Sequence, residues 1–458
     1  MSLDNLPVEW ESVELGQIVQ LNPRFQTDDE TEVGFMPMAG VPTEFFKPNH
    51  YEVKSWKEVK KGYTCFRDGD VLFAKITPCF ENSKAAIVQK FPNAIGAGST
   101  EFFVLHPYAD NTIEPFYLYS LVKTVDFLKN GAVNMTGSVG HKRVPKDFVE
   151  TYNLPLPPLA EQQEIVRQLN LMLAQVEQIK ARLDAIPAIL KKFRQSVLAD
   201  AVSGKLTEEW RGNSDINNWQ NKVLGDIATV KTGKTPSRKE SKYWENASIP
   251  WLTSSATGNS FADNADEFIS EIASKECNLI PFPKGTLLLA MYGEGKTRGQ
   301  VTELLIEATC NQACAAILVN HDVAHTSFVK IRLLENYENI RKAASGGNQP
   351  NLNLNKVREI DIFLPPLDEQ IEIVNIVKNL FVYAEKIEQT FQTAQKRVNL
   401  LTQSILAKAF SGELTAEWRE QHQELITGVN SAENLLAKIQ AEREANKPVK
   451  KTRAEKEV

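Results

Sequence analysis

Leu156-Pro157-Pro158-Leu159-Ala160-Glu161-Gln162 is a heptapeptide that returns as Leu364-Pro365-Pro366-Leu367-Asp368-Glu369-Gln370, 208 positions further along this 458-residue chain. The nonapeptide Ser203–Arg211 returns as Ser411–Arg419 at the same shift, with seven of nine positions identical. Because both motifs repeat in one register, no net insertion separates them in either copy. The repeats predict an internal duplication, whose two halves are expected to be related by a pseudo-two-fold axis.

A third repeated block marks the start of each copy. Trp10 with Leu15–Ile18 returns as Trp219 with Leu224–Ile227, at a shift of 209. The residues between these blocks and the Pro-Pro motifs, 19–155 and 228–363, have diverged much further. A constant frame around two divergent inserts indicates two modules that perform one task on two different targets.

The two inserts are predicted to be mixed α/β domains. They share only faint echoes, of which 68–74 and 284–290 are the clearest. Short β-rich runs bounded by Gly, Pro and Asn predict strands at Asp70–Ile76, Phe102–Leu105, Thr286–Met291 and Ala316–Val319. A helix is predicted after these strands in each insert, at Phe116–Leu128 and at Thr326–Ala343, the second with Thr326 or Ser327 as its N-cap.

A long helix is predicted after each Pro-Pro motif, with Asp368 as the N-cap of the second one. Apolar residues of that second helix follow an unbroken 4-3 spacing at Ile373, Val377, Leu380, Ala384, Ile387, Phe391, Ala394, Val398, Leu401 and Ile405. The first helix has a similar seam from Val166 to Val197, which Pro187 is expected to kink or restart near Ala185. Gly204 and Gly412 are expected to be left-handed residues that end the two helices.

Two apolar seams of matching length predict an intramolecular antiparallel coiled coil, because a lone seam is unstable in water. The alternative is that each helix packs only on its own insert domain. The predicted fold class is α+β, with two mixed α/β domains separated by the pair of long helices. The predicted segments are 1–158 and 212–366 for the two insert domains, 159–211 and 367–420 for the two long helices with their caps, and 421–458 for a C-terminal helix and a mobile charged tail.

The composition is that of a globular protein, with 42% hydrophobic and 24% charged residues. The sequence has no run of 18 or more apolar residues, and its first residues lack a signal-peptide pattern, so a cytoplasmic location is expected. The net charge is −6; residues 1–150 carry 15 basic and 20 acidic residues, and residues 212–360 carry 16 of each. Neither insert is a basic arm that coats DNA indiscriminately, so any affinity for DNA must come from local patches, base contacts or a partner subunit.

Signals for metal or catalytic chemistry are incomplete. Cys310 and Cys314 lie close together, as do His321 and His325, but no second ligand pair with zinc spacing accompanies them, so reduced core thiols and no metal site are expected. Gly233-Lys234-Thr235 and Gly295-Lys296-Thr297 resemble the end of a P-loop, but Ala replaces the first Gly that such a loop needs. The Asn/Asp-Pro-Pro-aromatic motif of adenine methyltransferases is missing from the sequence. The chain is therefore predicted to be non-enzymatic, with no cofactor of its own.

The repeated blocks resemble a known family. Two copies of Leu-Pro-Pro-Leu-x-Glu-Gln, a long helix and Ser-Gly-x-Leu-Thr-x-x-Trp-Arg are similar to the specificity subunits of type I restriction–modification systems. The stretches Ala188–Leu198 and Leu401–Phe410 look like the enterobacterial-type subfamily. The resemblance covers about 1–18, 144–227 and 352–445, whereas the inserts resemble no domain of known target.

This resemblance implies that each insert is a target-recognition domain that reads one half of a bipartite site in double-stranded DNA. The helices would separate the two domains and dock two modification subunits, which methylate adenine with S-adenosylmethionine. Restriction and motor subunits, which use ATP and magnesium, would join the full complex. The alternative functions are a coiled-coil scaffold or assembly protein that does not read sequence, and a cryptic nuclease.

DNA contacts are expected from loops rich in basic, amide and hydroxyl side chains, which reach base edges or phosphates; solvated loop residues are the alternative at each position. The candidates are Lys75, Thr77, Asn82, Lys84, Ser99, Thr100, His141, Lys142 and Arg143 in the first insert, and Tyr292, Lys296, Thr297, Arg298, Gln300, Asn311, Gln312, Asn348, Gln349 and Asn351 in the second. The shift of 208 makes Arg143 the counterpart of Asn351. Two alternatives stay open for Trp210, Arg211, Trp418 and Arg419: anchors on the chain's own helices, or contacts for the modification subunits.

Overall fold

A computed structural model describes residues 5–138, 140–212, 218–293, 296–343 and 351–445. The chain forms two compact units, which are described separately below. The first unit combines Met1–Asp184 with Gln392–Val458, and the second comprises Ala185–Phe391. Each unit therefore contains one insert and parts of both long helices.

The first unit contains two sheets and a separate strand pair. Its strands are β1 (Glu11–Glu14), β2 (Val19–Leu21), β3 (Glu32–Met36), β4 (Glu52–Ser55), β5 (Thr64–Arg67), β6 (Val71–Ala74), β7 (Ala85–Ile87), β8 (Ile95–Gly98), β9 (Phe102–Pro107) and β10 (Asn153–Leu156). The main sheet has the antiparallel order β2-β9-β6-β7, and the small sheet has the order β4-β3-β8-β5 with β3 parallel to β8. β1 pairs with β10, which joins the start of the copy to the Pro-Pro motif.

The sequence of strand β6 is a continuous apolar run because both faces of the strand are buried. Val71 and Phe73 pack in the core that also contains the helices, whereas Leu72 points into the core shared with the small sheet. A strand with both faces covered has no polar face, so the alternation of a half-exposed strand is absent.

In the Met1–Asp184 part of the first unit the helices are α1 (Leu15–Ile18), α2 (Trp56–Val59), α3 (Pro115–Val122), α4 (Val125–Val133), α5 (Lys146–Glu150) and the first part of α6 (Leu159–Val202). The single helix predicted at Phe116–Leu128 is therefore two helices. Thr124 separates them, because its hydroxyl accepts a hydrogen bond from the Phe127 backbone N–H at 3.2 Å and so caps α4.

The second unit repeats this architecture. Its strands are β11 (Gln220–Val223), β12 (Ala228–Thr232), β13 (Ile249–Leu252), β14 (Phe261–Ala262), β15 (Glu267–Ile269), β16 (Leu287–Ala290), β17 (Val301–Leu304), β18 (Thr309–Cys310), β19 (Cys314–Val319) and β20 (Asp361–Leu364). The order β12-β19-β16-β17 matches β2-β9-β6-β7, and β15-β13-β18 matches β4-β3-β8; β14 adds a fifth strand to the main sheet. β11 pairs with β20 as β1 does with β10.

The weakly similar segments 68–74 and 284–290 contain equivalent central strands, β6 and β16. Gly69 and Gly285 both have positive φ, 94° and 83°, in the turns that lead into β6 and β16. Leu287 and Leu289 face the helical core, and Leu288 faces the core under the small sheet, as in β6. The duplication therefore extends through the inserts.

The helices of the second unit, besides the remainder of α6, are α7 (Glu208–Arg211), α8 (Leu224–Ile227), α9 (Glu271–Glu276), α10 (Thr326–Glu335), α11 (Tyr337–Ala343), α12 (Leu354–Arg358) and the first part of α13 (Leu367–Ser411). The helix predicted at Thr326–Ala343 is again divided in two. Its N-cap is His325 rather than Thr326 or Ser327, because the His325 imidazole accepts from the Ser327 N–H at 3.2 Å.

The two long helices run antiparallel. In the first unit, Leu169 and Leu173 of α6 share a core with Leu406 of α13. In the second unit, Val197 near the end of α6 shares a core with Ile373 near the start of α13. Both cores also contain insert residues, so each helix packs on its partner helix as well as on an insert domain.

Three details of the long helices differ from expectation. α6 does not restart at Pro187, which lies inside one continuous helix from Leu159 to Val202, and the kink expected there stays a prediction. α13 begins at Leu367, so Asp368 lies in its first turn rather than at the N-cap. The predicted seam is half-exposed near its middle, where Ile387 is 51% exposed.

Two further helices, α14 (Ala416–Gln421) and α15 (Ala432–Ala445), follow α13. Ile439 of α15 is fully buried in the core of the first unit. Residues 446–458, which include the predicted mobile tail, lie outside the described residues. Among the helices of the described residues, none is both long and apolar enough to cross a membrane.

Candidate nucleic-acid interface

In the first unit, hydrogen bonds to one buried glutamate connect residues of the three kinds of repeated block. Glu161, in the first turn of α6, is fully buried. Its carboxylate accepts hydrogen bonds from Trp10 Nε1 at 2.7 Å, Thr415 Oγ1 at 2.7 Å and Arg419 Nε at 2.9 Å. A buried carboxylate needs such partners, because an unpaired charge would be costly inside the protein. We call this group clamp 1.

Clamp 2, in the second unit, has the same composition. Glu369 accepts hydrogen bonds from Trp219 Nε1 at 2.9 Å, from Thr207 Oγ1 at 2.7 Å and from Arg211. Each clamp joins the start of one copy to the Ser-Gly-x-Leu-Thr-x-x-Trp-Arg block of the other. The duplicated blocks are thus the parts of two equivalent anchors that position the inserts.

The arginines of the two clamps belong to the pairs Trp210-Arg211 and Trp418-Arg419, which are either anchors on the chain's own helices or contacts for the modification subunits. Arg211 and Arg419 also donate to the carbonyl oxygens of Gly204 and Gly412, whose φ values of 78° and 79° confirm the predicted left-handed helix ends. These contacts are those of anchors on the chain's own helices. Trp210 is 48% exposed, whereas Trp418 stacks on the His422 ring at 4.6 Å.

The glutamine that follows each clamp glutamate fastens the insert to its long helix. Gln162 accepts from the Glu114 N–H at 3.0 Å, and Gln370 accepts from the His325 N–H at 2.7 Å. Each amide also donates to the carbonyl oxygen of the first proline of its own Pro-Pro pair, Pro157 or Pro365. The starts of α3 and α10 are therefore fixed in the same way.

Three loops meet at one end of the main sheet in the first unit, and we call them loop cluster 1: residues 75–77, 99–101 and 141–143. Lys75 N–H donates to the Glu101 carbonyl at 2.8 Å, and Thr77 N–H donates to the Lys142 carbonyl at 3.0 Å. The cluster brings together most candidates of the first insert, namely Lys75, Thr77, Ser99, Thr100, His141, Lys142 and Arg143. Thr100, His141, Lys142 and Arg143 are exposed.

An ion pair organises the charges of loop cluster 1. Arg143 Nε and Nη2 donate to the Glu101 carboxylate at 2.9 and 2.7 Å, and Arg143 Nη1 donates to the His141 carbonyl at 3.1 Å. The Arg143 hydrogen bonds hold the pKa of Glu101 below its usual value, and Glu101 raises that of Arg143. Burial lowers the pKa of Lys75, which lies 5.2 Å from the centre of the Phe103 ring.

The remaining candidates of the first insert lie in the turn after loop 75–77. Asn82 is exposed, whereas Lys84 donates through Nζ to the Met38 carbonyl at 2.9 Å and so supports the fold. Lys123 supports the same turn through two hydrogen bonds. Its Nζ donates to the carbonyl oxygens of Ser83 at 2.8 Å and Thr43 at 2.7 Å.

The buried position of Lys123 predicts a pH-dependent stability. Burial lowers the pKa of Lys123 to about 7, whereas the unfolded chain has the ordinary value near 10.5. Between these two values the unfolded state binds more protons, so the Lys123 contribution to stability rises with pH. From pH 7 to pH 9 we expect this rise to be about 2 kcal/mol.

Chemical denaturation of the wild type and of Lys123→Met at both pH values measures this contribution as the difference in pH slope. The Met variant should lack the rise. Equal slopes for the two proteins would show that Lys123 is charged in the fold throughout this range.

The equivalent end of the main sheet in the second unit forms loop cluster 2: residues 232–235, 291–293, 296–300, 311–313 and 351–352. Met291 N–H donates to the Ala313 carbonyl at 2.7 Å, and Leu352 N–H donates to the Met291 carbonyl at 3.1 Å. The cluster contains Tyr292, Lys296, Thr297, Arg298, Gln300, Asn311, Gln312 and Asn351. Asn348 and Gln349 lie outside the described residues.

Hydrogen bonds hold loop cluster 2 in place. Gln312 Oε1 accepts from Thr235 Oγ1 at 2.6 Å, and the Asn311 side chain accepts from the Ala313 N–H at 3.0 Å. α11 holds the other side, because Tyr337 Oη donates to the Lys296 carbonyl at 2.6 Å and Arg341 donates to the Arg298 carbonyl at 3.0 Å. Tyr292, Lys296 and Gln312 are exposed.

The Gly-Lys-Thr sequence at 233–235 is a tight turn. A Cβ atom at Gly233 would lie 1.6 Å from the Cys310 carbonyl oxygen, so no other residue fits there. Cys310 and Cys314 beside it are buried free thiols. In the part of the chain that the structure describes, no three His, Cys, Asp or Glu side chains are grouped to hold a metal ion.

Sequence reasoning missed two sets of residues. The clamp glutamates and their tryptophan and threonine partners stood inside the repeated blocks, so their repetition was the signal that could have found them; their arginine partners, Arg211 and Arg419, were already among the candidates. Glu101 had no such signal, because only the fold brings it to Arg143 across 42 residues.

The sequence of this chain matches a known protein family over most of its length. The family described as type I restriction modification DNA specificity domain matches residues 7–188 and 216–395. The chain belongs to the type I restriction–modification DNA specificity family. The predicted resemblance is thereby confirmed.

Three relatives of this specificity chain are specificity subunits from Escherichia coli. The EcoDI specificity subunit is 31% identical over 97% of this chain and 98% of its own length. The EcoKI specificity subunit, from strain K12, is 37% identical over 66% of each chain. The EcoAI specificity subunit is 41% identical over 47% of this chain, and that match spans only 36% of the relative's length.

Solved structures share the fold of this specificity chain. One, described as the structural basis of complex assembly and conformational transition of the type I R-M system, has a TM-score of 0.71 at 21% identity and covers 89% of this chain and 99% of its own. The HsdS subunit from Thermoanaerobacter tengcongensis has a TM-score of 0.64 at 20% identity, covering 89% and 98%. The predicted α+β fold with paired long helices is confirmed.

Proposed function

We propose that this chain is the DNA-specificity subunit of a type I restriction–modification complex. It reads a bipartite site in double-stranded DNA, one half with each insert, and directs adenine methylation and restriction by partner subunits. The observation that carries this proposal is the pair of loop clusters. They occupy the same end of the same sheet in two copies of one fold, yet present different polar side chains.

The difference between the clusters suits sequence reading. Loop cluster 1 presents Lys142 and Arg143, whereas loop cluster 2 presents Tyr292, Lys296 and Gln312, with Asn351 partly buried beside them. Arginine and lysine pair with guanine edges, and asparagine and glutamine pair with adenine edges. A scaffold that does not read sequence would have no need for two copies of one fold with different polar ends.

Catalysis belongs to the partners in this proposal. Two modification subunits bring S-adenosylmethionine, and restriction and motor subunits bring ATP and magnesium. The exposed Trp210 remains a candidate contact for a modification subunit, because exposed tryptophan is typical of interface centres. The five predicted segments serve as two readers, two helical arms and a C-terminal segment.

The purified chain alone is expected to transfer no methyl group from S-adenosylmethionine to DNA and to cut no DNA. With the modification subunits of its own system added, adenine methylation of duplex DNA should appear. Incorporation of a radiolabelled methyl group into plasmid DNA measures both. Methylation or magnesium-dependent cutting by the chain alone would contradict the proposal and favour an enzyme.

A further inference from the structure

The guanidinium of Arg143 is held in one orientation with part of its donor capacity left over. Of its five N–H groups, Nε–H and one on Nη2 bind Glu101, and one on Nη1 binds the His141 carbonyl. One N–H therefore remains on each terminal nitrogen. The side chain of Arg143 is 45% exposed, so a ligand can approach the guanidinium.

Two donors on neighbouring nitrogens of one plane suit guanine. O6 and N7 of guanine are adjacent acceptors in the major groove, and a bidentate arginine is their commonest partner. Adenine offers a donor beside its N7 and would leave one N–H of this fork unsatisfied.

Glu101 also weakens the attraction of Arg143 for a phosphate. Its carboxylate neutralises the guanidinium at 2.7 Å, so the pair offers little net attraction to a phosphate charge. Directed hydrogen bonds to a base edge do not depend on net charge in this way. Because Glu101 holds the plane before DNA arrives, less side-chain entropy is lost on binding.

We infer that Arg143, oriented by Glu101, reads the guanine of a G·C pair in the half-site of the first insert, with Glu101 as the positioning residue. The inference rests on the proposed function and adds the base and the residue that makes the contact selective. The position equivalent to Arg143 in the second copy is Asn351, a residue type that pairs with adenine. The two halves would thus read different bases with equivalent loops.

The test uses the full chain with its modification subunits, and the probe is the genome of the expressing host. Sequencing of methylated adenines gives the recognised motif for each variant. Arg143→Ala should relax one G·C position in one half-site, with a loss of discrimination of about 5- to 150-fold. Glu101→Ala should relax the same position, and Glu101→Gln should restore part of the discrimination, because its amide oxygen still accepts from Arg143.

A matched control is Asp29→Ala, which breaks the exposed 2.6 Å pair with Lys60 in the same unit. It should leave every position of the motif unchanged. Thermal unfolding of each variant shows whether Glu101 acts only on stability, since a structural role would lower methylation evenly without relaxing one position.

Each of the following outcomes would overturn the inference that Arg143 reads a guanine. A wild-type motif with no required G·C pair in the half-site of the first insert contradicts guanine reading but leaves the proposed function intact. The same holds if Arg143→Ala lowers methylation evenly at all positions, or if Glu101→Ala leaves discrimination unchanged. Failure of the wild-type complex to methylate any defined motif would overturn the proposed function together with the inference.

Discussion

Arg419→Ala is expected to lower the free energy of unfolding by about 3–5 kcal/mol, because it leaves Glu161 as a buried charge without a cation. Glu161 is fully buried, and the Arg419 side chain is only 13% exposed. Trp10 and Thr415 would still donate to the carboxylate, but neither carries a compensating charge. Urea denaturation followed by tryptophan fluorescence and circular dichroism measures the loss.

A matched control for this substitution is Arg167→Ala. Arg167 pairs with Glu164 at 2.7 Å on the same helix, but its side chain is 60% exposed, so its loss should lower the stability far less than Arg419→Ala does. Arg211→Ala should behave like Arg419→Ala, because clamp 2 repeats clamp 1.

A second substitution separates the charge from the packing. Adding Glu161→Gln to Arg419→Ala should recover part of the lost stability, because a neutral amide needs no cation. If Arg419→Ala costs no more than the exposed control, the clamp charge does not stabilise the fold.

Exchange of the second insert is expected to change one half of the methylated motif completely and to leave the other half as it was. Each loop cluster belongs to one unit and is built from one insert, so each half-site should depend on its own insert. The exchange replaces residues 228–360 with the corresponding segment of a specificity subunit of different target. A junction after Ile360 keeps β20 in the recipient, where its register with β11 is already set.

Sequencing of methylated adenines in the expressing host provides the motif for this chimaera. The control replaces the same segment with that of a specificity subunit of identical second half-site, which should leave the whole motif unchanged. Loss or alteration of both halves in a folded, methylating chimaera would contradict independent reading.

Local sequence pattern was sufficient for the long helices but not for their details. The 4-3 spacing from Ile373 to Ile405 predicted α13, since heptad periodicity is a property of the chain alone. The half-exposed middle of the seam was not predictable, because burial depends on which other elements cover the helix. The break at Lys123–Thr124 was missed for a similar reason: apolar periodicity continues across it, and only the Thr124 cap ends it.

For the candidate DNA contacts, too, sequence pattern located the loops, but it did not show which side chains face solvent. Loop composition pointed to Lys75, Arg143 and Gln312, and the fold gathers these at the equivalent ends of the two main sheets. Composition also pointed to Lys84, whose ammonium group is occupied by the Met38 carbonyl. Whether a polar side chain faces outward or bonds its own chain depends on long-range packing.

The duplication, the two long helices and the family could all be predicted from the amino-acid sequence, because they follow from repeated blocks and short-range periodicity. The shared topology of the divergent inserts became visible in the three-dimensional fold, since strand pairing such as that of β6 with β9 depends on backbone hydrogen bonds rather than on residue identity. The fold alone brought Glu161 to Arg419, 258 residues away, and Glu101 to Arg143. Contacts at such separations form when the hydrophobic cores close, and no local pattern records them.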